Sequence, residues 1–156
     1  NEKVTVTVAD YDEEIGRQYE DDYACILYES NYQEDIEKFA SQYFDMEYCK
    51  VYVDLTHTEN DITDENVLSK SSAIVDIFID DLMYSLEDIN NFMDGYSQWL
   101  WEQSGEVGSL SIIYLFASEA FDEINGSNYL DKTLDHDNII ESINCRISGT
   151  DPIKIF

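Results

Sequence analysis

The order of apolar and polar residues in the first third of the chain predicts strand, strand, helix and strand. Apolar side chains alternate with polar ones in residues 4–8 and again in residues 49–55, which is the period of a half-buried strand. A short apolar run between acidic stretches predicts a further strand at residues 23–28. Apolar residues then recur at helical spacing, behind a serine and a glutamine spaced as in a capping box, so we expect a helix at residues 31–44.

The second half of the chain is predicted to be mainly helical. At 100° per residue, the apolar side chains of residues 64–94 fall on one arc of a helical projection and several acids fall on the opposite arc, with Gly95 as a stop signal. The same spacing gives a second amphipathic helix at residues 112–124. A short helix is expected at residues 139–143, and residues 146–156 are predicted to form two short strands about a turn.

These elements predict an α+β fold, with a small N-terminal β-sheet and one helix, then a mainly helical C-terminal half ending in a short hairpin. The length of 156 residues fits one compact domain over residues 1–156, with a sheet part at 1–56 and a helical part at 63–156. Hydrophobic residues make up 44% of the chain. That is enough to build a core, so high acidity does not indicate disorder here.

Acidic residues dominate the charge of the chain. It has 35 Asp and Glu residues against 8 Lys and Arg residues, a formal net charge of −27. Residues 71–131 contain twelve acids and no Lys or Arg. Self-repulsion opposes the compact state, while the same field attracts positively charged partners. Adaptation to high salt is an alternative explanation, but the abundance of Ile, Tyr, Asn and Phe argues against it.

One face of the predicted helix at residues 64–94 is the predicted partner-binding surface. Asp76, Asp80, Glu87 and Asp94 fall within about 40° of one another on the projection, with Tyr84 beside them. No Lys or Arg lies between them, whereas ordinary solvated helix faces mix both signs. A merely solvated face is the alternative interpretation. Nearby acids complete the predicted set, namely Asp81, Asp88, Glu119, Asp122 and Glu123.

Motifs for catalysis and for metal or cofactor binding are missing from the sequence. It has no Gly-rich phosphate loop, no G-x-S-x-G and no H-E-x-x-H. Two acidic stretches resemble calcium loops, but both lack the glycine that the turn requires. We therefore expect no enzyme activity, no metal and no cofactor. The widely spaced Cys25, Cys49 and Cys145 are predicted to be buried free thiols.

The chain also lacks an apolar run of 18 residues and the basic, apolar start of a signal peptide. We expect a soluble protein of the cytoplasm of a bacterial host cell. The sequence does not decide between a monomer and a homodimer.

Four features of the sequence together are typical of one functional class: small size, extreme acidity, tyrosines interleaved with acids, and no catalytic motif. It resembles the DNA-mimic inhibitors of phages and mobile elements, of the antirestriction and anti-CRISPR type. The resemblance implies that the protein occupies the positively charged nucleic-acid channel of a host defence nuclease, either a CRISPR effector or a restriction enzyme. Carboxylates would take the place of phosphates and bind the partner's Arg and Lys.

The resemblance also implies that the protein itself binds neither nucleic acid nor a membrane. An immunity protein or antitoxin that neutralises a basic nuclease toxin is the alternative function. An acidic structural or assembly protein is the third.

Overall fold

Five strands and four helices make up the described part of the chain. The structure, a computed structural model, describes residues 13–57, 71–104, 109–148 and 151–155. The helices are α1 (Glu13–Ala40), α2 (Leu86–Ser104), α3 (Ser118–Phe121) and α4 (Tyr129–Lys132). The strands are β1 (Cys49–His57), β2 (Ser71–Asp80), β3 (Ser109–Phe116), β4 (Ile139–Ser148) and β5 (Asp151–Ile155).

The strands form one mixed sheet in the order β1-β2-β3-β4-β5. β2 and β3 pair in parallel, and every other neighbouring pair is antiparallel. A parallel pair cannot be joined by a tight hairpin and needs a crossover connection. Helix α2 lies in that connection. Because β2 and β3 run in parallel, both strands finish at the same end of the sheet.

The main core lies between one face of the sheet and the two long helices. Alternating side chains of the strands point to this face, as the two-residue period of a strand requires. The helices contribute Ile36, Ala40, Ile89, Phe92, Met93, Tyr96 and Leu100. The strands contribute Val51, Val53, Leu55, Val75, Ile77, Ile79, Ile113 and Cys145. The hydroxyls of Tyr96 and Ser111 satisfy each other inside this core at 2.7 Å.

A second, smaller core covers part of the opposite face. It contains Phe78, Tyr114, Phe116, Phe121 and Ile124, and the segment 117–138 supplies the covering residues. Lys50 anchors this segment, because its Nζ donates hydrogen bonds of 2.8 Å to the carbonyl groups of Phe121 and Ile124.

Helix α1 also covers the outer edge of β1 with side chains. The backbone N–H of Val53 donates to Gln33 Oε1 at 3.3 Å, and the N–H of Leu55 donates to Glu29 Oε2 at 3.1 Å. Burial raises the pKa of Glu29. Exposed edge strands are otherwise free to pair with other chains.

The predicted fold class is wrong about the position of the sheet, because strands continue through the second half of the chain. Where one helix was predicted at 64–94, the structure has strand β2 and the start of α2. Where a second helix was predicted at 112–124, it has most of strand β3, followed by α3. Both stretches are rich in Ile, which favours strands. Gly95 lies inside α2 and does not end it.

Other predicted elements had mixed outcomes. The strand at 49–55 is confirmed by β1, and the terminal pair of strands is confirmed by the antiparallel pairing of β4 with β5. The strand at 23–28 is wrong because these residues belong to α1, which also contains most of the predicted helix at 31–44. The helix at 139–143 is wrong because β4 begins there. The strand predicted for residues 4–8 lies outside the described residues.

Candidate functional site

Three connections of the chain, α1–β1, β2–α2 and β3–β4, meet at the end of the sheet where β2 and β3 finish. Backbone hydrogen bonds join them. The N–H of Asp80 donates to the carbonyl of Tyr48 at 3.0 Å, and the N–H of Asp81 donates to the carbonyl of Phe116 at 3.1 Å. The N–H of Ala117 donates to the carbonyl of Asn138 at 2.8 Å. The segments before β1, after β2, after β3 and before β4 therefore lie side by side.

These three connections, with the first turn of α2, carry eleven acids that are exposed or half-buried, and we call this surface the acidic end. Its acids are Asp45, Glu47, Asp81, Glu87, Asp88, Glu119, Asp122, Glu123, Asp131, Asp135 and Asp137. Lys132 is the one Lys or Arg in the same connections, and its Nζ pairs with Glu123 at 3.4 Å. Lys50 lies nearby, but its ammonium group is held by two carbonyl groups and rests 4.7 Å from the centre of the Phe121 ring. The acidic end therefore presents an excess of negative charge to solvent.

The start of α2 supports part of this charge. Asp88 Oδ2 accepts hydrogen bonds from the N–H of Ser85 at 2.8 Å and from its hydroxyl at 3.1 Å. The N–H of Asp88 donates back to Ser85 Oγ at 3.4 Å, which completes a capping box. Acids in the first turn also interact favourably with the helix dipole, so Glu87 and Asp88 are tolerated without a basic neighbour.

Asp80 and Asp81 hold the end of β2 to the start of α3. Asp80 is buried and uses both oxygens internally, since Oδ1 accepts from the N–H of Leu82 at 2.9 Å and Oδ2 accepts from the hydroxyl of Ser118 at 3.0 Å. Asp81 Oδ1 accepts from the N–H of Ser118 at 2.8 Å. Asp80 is therefore not on an exposed helix face as predicted, and its buried carboxylate already accepts a hydrogen bond on each oxygen.

Asp76 lies in the middle of β2 on the face opposite α1 and α2. It is only 4% exposed, and Oδ1 accepts a hydrogen bond from the hydroxyl of Tyr114 at 3.1 Å. Burial raises the pKa of Asp76, and the hydrogen bond from Tyr114 partly opposes that shift. Burial and the nearby charges of Asp54 and Asp76 raise the pKa of Tyr129 to about 12. The predicted exposure of Asp76 is wrong, because this position belongs to a strand.

Tyr84 is half-buried and fastens the connection after β2. Its hydroxyl accepts a hydrogen bond of 2.7 Å from the N–H of Asp45, and its ring packs edge-on against Phe44 at 4.9 Å. Glu87 and Asp94 do lie on the exposed side of one helix, seven residues apart on α2. The predicted stripe therefore divides into two buried strand residues, a half-buried tyrosine and two exposed helix residues.

Six of the predicted residues come together at the acidic end, although not on one helix: Asp81, Glu87, Asp88, Glu119, Asp122 and Glu123. The prediction missed Asp45, Glu47, Asp131, Asp135 and Asp137. These acids reach the same end of the sheet through the pairing of neighbouring strands, which the local pattern of the sequence does not give.

The described residues give no sign of a metal centre, since no three His, Cys, Asp or Glu side chains among them are grouped to hold an ion. In the same part of the chain, no helix is long and apolar enough to cross a membrane. Cys49 and Cys145 are buried free thiols, as predicted, and burial raises the pKa of Cys145 to about 11.

The chain matches no protein-family profile, no curated protein and no solved structure.

Proposed function

We propose that the protein is a nucleic-acid mimic that inhibits a defence nuclease by occupying its positively charged nucleic-acid channel. The observation that carries the proposal is the acidic end, where three connections and the first turn of α2 place eleven acids beside a single Lys. Arg and Lys side chains that normally hold phosphates would form charge-assisted hydrogen bonds with these carboxylates. Long-range attraction would also speed association.

The charge density of the acidic end supports this proposal. Neighbouring strands lie about 4.8 Å apart, so the four adjacent strand ends of β1 to β4 span about 14 Å. Duplex DNA carries roughly 8 negative charges over 14 Å of its axis. Eleven acids lie in the segments next to these strand ends and in the first turn of α2, against a single Lys, so their excess negative charge is of the same order as that of the nucleic acid it would replace.

A competition assay tests the proposal directly. DNA cleavage by several restriction enzymes, a CRISPR effector and a basic nuclease toxin is measured with increasing amounts of the protein. We expect inhibition of at least one defence nuclease that is relieved by excess DNA and by salt, because both weaken electrostatic competition. Inhibition of the toxin alone would favour the immunity-protein alternative. Inhibition of none, together with no binding to any of them, would reject the mimic.

Charge-removing variants locate the surface. We expect the quadruple variant Glu47→Gln, Glu87→Gln, Glu119→Gln and Asp122→Asn to inhibit at least about tenfold less well, mainly through slower association. These four side chains are exposed. The matched control neutralises four exposed acids of α1 and α2, namely Glu34, Asp35, Asp94 and Glu102. If the control variant loses as much inhibition as the first, net charge rather than the acidic end is responsible.

A further inference from the structure

Three large apolar side chains are exposed within five residues at the acidic end. Leu82 is 79% exposed, Met83 is 51% exposed and Leu86 is 37% exposed. A single exposed leucine is ordinary in a folded protein, but three exposed large apolar residues so close together in the chain favour an interaction site. We call these three residues the apolar loop.

The apolar loop is held in its exposed position by hydrogen bonds on both sides. The carbonyl of Asp80 accepts from the N–H groups of Met83 at 3.3 Å and Tyr84 at 3.2 Å, while Asp80 Oδ1 accepts from the N–H of Leu82. The Tyr84 hydroxyl is in turn bonded to the backbone of Asp45. Leu82 and Met83 are therefore presented to solvent by a braced turn, and little conformational freedom remains to be lost on binding.

A concave surface adjoins the loop and is bordered by acids. A cleft of about 310 Å³ is lined by Asp81, Leu82, Ser118 and Glu119. Glu87 and Asp88 flank the loop on the α2 side, and both are exposed. A partner that fits this surface must therefore combine an apolar side chain with positive charge.

Charge disfavours two other occupants of this surface. A second copy would bring the same acidic end against itself, and like charges placed together oppose association. The cytoplasmic face of a membrane is also negatively charged and would repel these acids. A basic protein segment meets no such penalty.

We propose that the apolar loop and its cleft bind a basic segment of the partner in which a large apolar residue lies between Lys or Arg side chains. The apolar residue would enter the cleft beside Leu82, and its basic neighbours would pair with Glu87, Asp88 and Glu119. This proposal rests on the proposed binding of a basic partner and adds the apolar anchor that a nucleic acid does not supply. It accounts for selectivity among basic channels, which charge alone gives poorly.

Two synthetic peptides serve as probes for this site. Both have twelve residues and six lysines; one carries leucines and the other carries serines at the remaining positions. We expect the wild-type protein to bind the leucine peptide about tenfold more tightly, as burial of one large side chain allows. Fluorescence anisotropy at physiological salt measures both affinities. Equal affinity for the two peptides would overturn the proposal.

The double variant Leu82→Ser and Met83→Ser tests the site. We expect it to bind both peptides with the same affinity, and its affinity for the serine peptide should equal that of the wild type. The control variant Leu130→Ser and Leu134→Ser removes two other exposed leucines, which are 59% and 71% exposed, and it should keep the preference. Circular dichroism confirms that both variants are folded. A preference that survives Leu82→Ser and Met83→Ser would overturn the proposal.

Two further outcomes separate this proposal from the proposed function. If the double variant inhibits a nuclease as well as the wild type does, the mimic stands and the apolar anchor is rejected. If the serine peptide fails to bind the wild type even at low salt, attraction of basic partners is itself rejected. Sedimentation tests the remaining alternative, a second copy of the chain. A wild-type dimer that becomes monomeric in the double variant would overturn the proposal, because the loop would then be a self-association surface.

Discussion

Within the sheet, the hydroxyl of Tyr114 donates a hydrogen bond to the buried carboxylate of Asp76. Burial and the adjacent Asp76 charge raise the pKa of Tyr114, so its hydroxyl stays protonated and donates to Asp76. The folded protein holds a proton on Asp76 more tightly than the unfolded chain does, since the pKa of Asp76 is raised in the fold. Stability linked to this proton is present at low pH and is lost as pH rises from the ordinary Asp pKa through the raised value.

We expect Asp76→Asn to stabilise the protein at pH 8 and to reduce the fall in stability as pH rises from the ordinary Asp pKa. Asparagine removes the buried charge but can still accept the hydrogen bond from Tyr114. Urea unfolding across that pH range measures the free energy of unfolding. An unchanged pH dependence would show that Asp76 does not bind its proton more tightly in the fold.

Tyr114→Phe removes the donor and leaves the buried Asp76 with one hydrogen bond fewer. Hydrogen bonds to charged groups contribute about 1.5–3 kcal/mol, so we expect a loss of that size at pH 8. In the Asp76→Asn background the loss should fall to about 1 kcal/mol, the value for neutral partners. Urea unfolding of the four proteins forms a double-mutant cycle, and equal losses in both backgrounds would contradict the contact.

At the scale of the secondary-structure elements, the prediction assigned a helix where the structure has a strand, because both periods place the same acids on one face. Asp76 and Asp80 are four residues apart, so they share a face in a helix and also in a strand. The projection could not separate the two, whereas the β-branched residues between them could have done so. The strand β1 was predictable because only one of its faces is uniformly apolar. No local pattern in residues 23–28 revealed that α1 continues through them.

Gly95 of α2 lies close to Tyr43 and to Phe39 of α1. A Cβ on Gly95 would overlap the hydroxyl of Tyr43 and would lie 3.3 Å from its Cζ and 3.6 Å from Phe39 Cζ. The Tyr43 ring packs edge-on against Phe92 at 5.3 Å. A larger residue at position 95 therefore displaces the tip of an exposed tyrosine rather than the backbone.

We expect Gly95→Ala to change stability by less than about 0.5 kcal/mol. The gain of about 1 kcal/mol in helix propensity is offset by the displaced Tyr43 ring, whose aromatic contact is of similar size. In a Tyr43→Ala background, the same substitution should stabilise by about 1 kcal/mol. Thermal unfolding measures all four proteins, and an equal loss in both backgrounds would place the conflict at Phe39 instead.

At the scale of the whole molecule, the net charge of −27 governs the response to salt and pH. We expect a higher melting temperature at pH 5.5 than at pH 8 in low salt, because protonation relieves self-repulsion and the pKa values of Glu29 and Asp76 are raised. At pH 8, added salt should raise the melting temperature by screening. Scanning calorimetry measures the three conditions, and three equal values would mean that the charges are too dispersed to matter.

The same charge should prevent binding to nucleic acid. We expect no retardation of DNA or RNA in a gel-shift assay, even at low ionic strength, because phosphate contacts dominate such affinity and require Lys and Arg. A basic control protein of similar size should shift the same probes. Saturable binding by the wild type would be incompatible with mimicry.

The acidic end could be anticipated from the sequence only as an excess of charge. Composition predicted a field, and six of the acids that make up this end were named. Their arrangement depends on the register of four strands, in which residues far apart in sequence, such as Asp45 and Asp137, reach the same edge. That register depends on long-range pairing, which a local pattern does not contain.

The side chains that α1 places along β1 also limit how another protein can attach. Many recognition domains accept an extended peptide as one more strand, whose main-chain groups continue the ladder. Gln33 and Glu29 already occupy the outward N–H groups of Val53 and Leu55, so an added strand would have to displace both. Strand addition is therefore disfavoured along this edge, and a partner must recognise side chains rather than backbone here. Recognition of that kind can be altered by single substitutions without rebuilding the sheet.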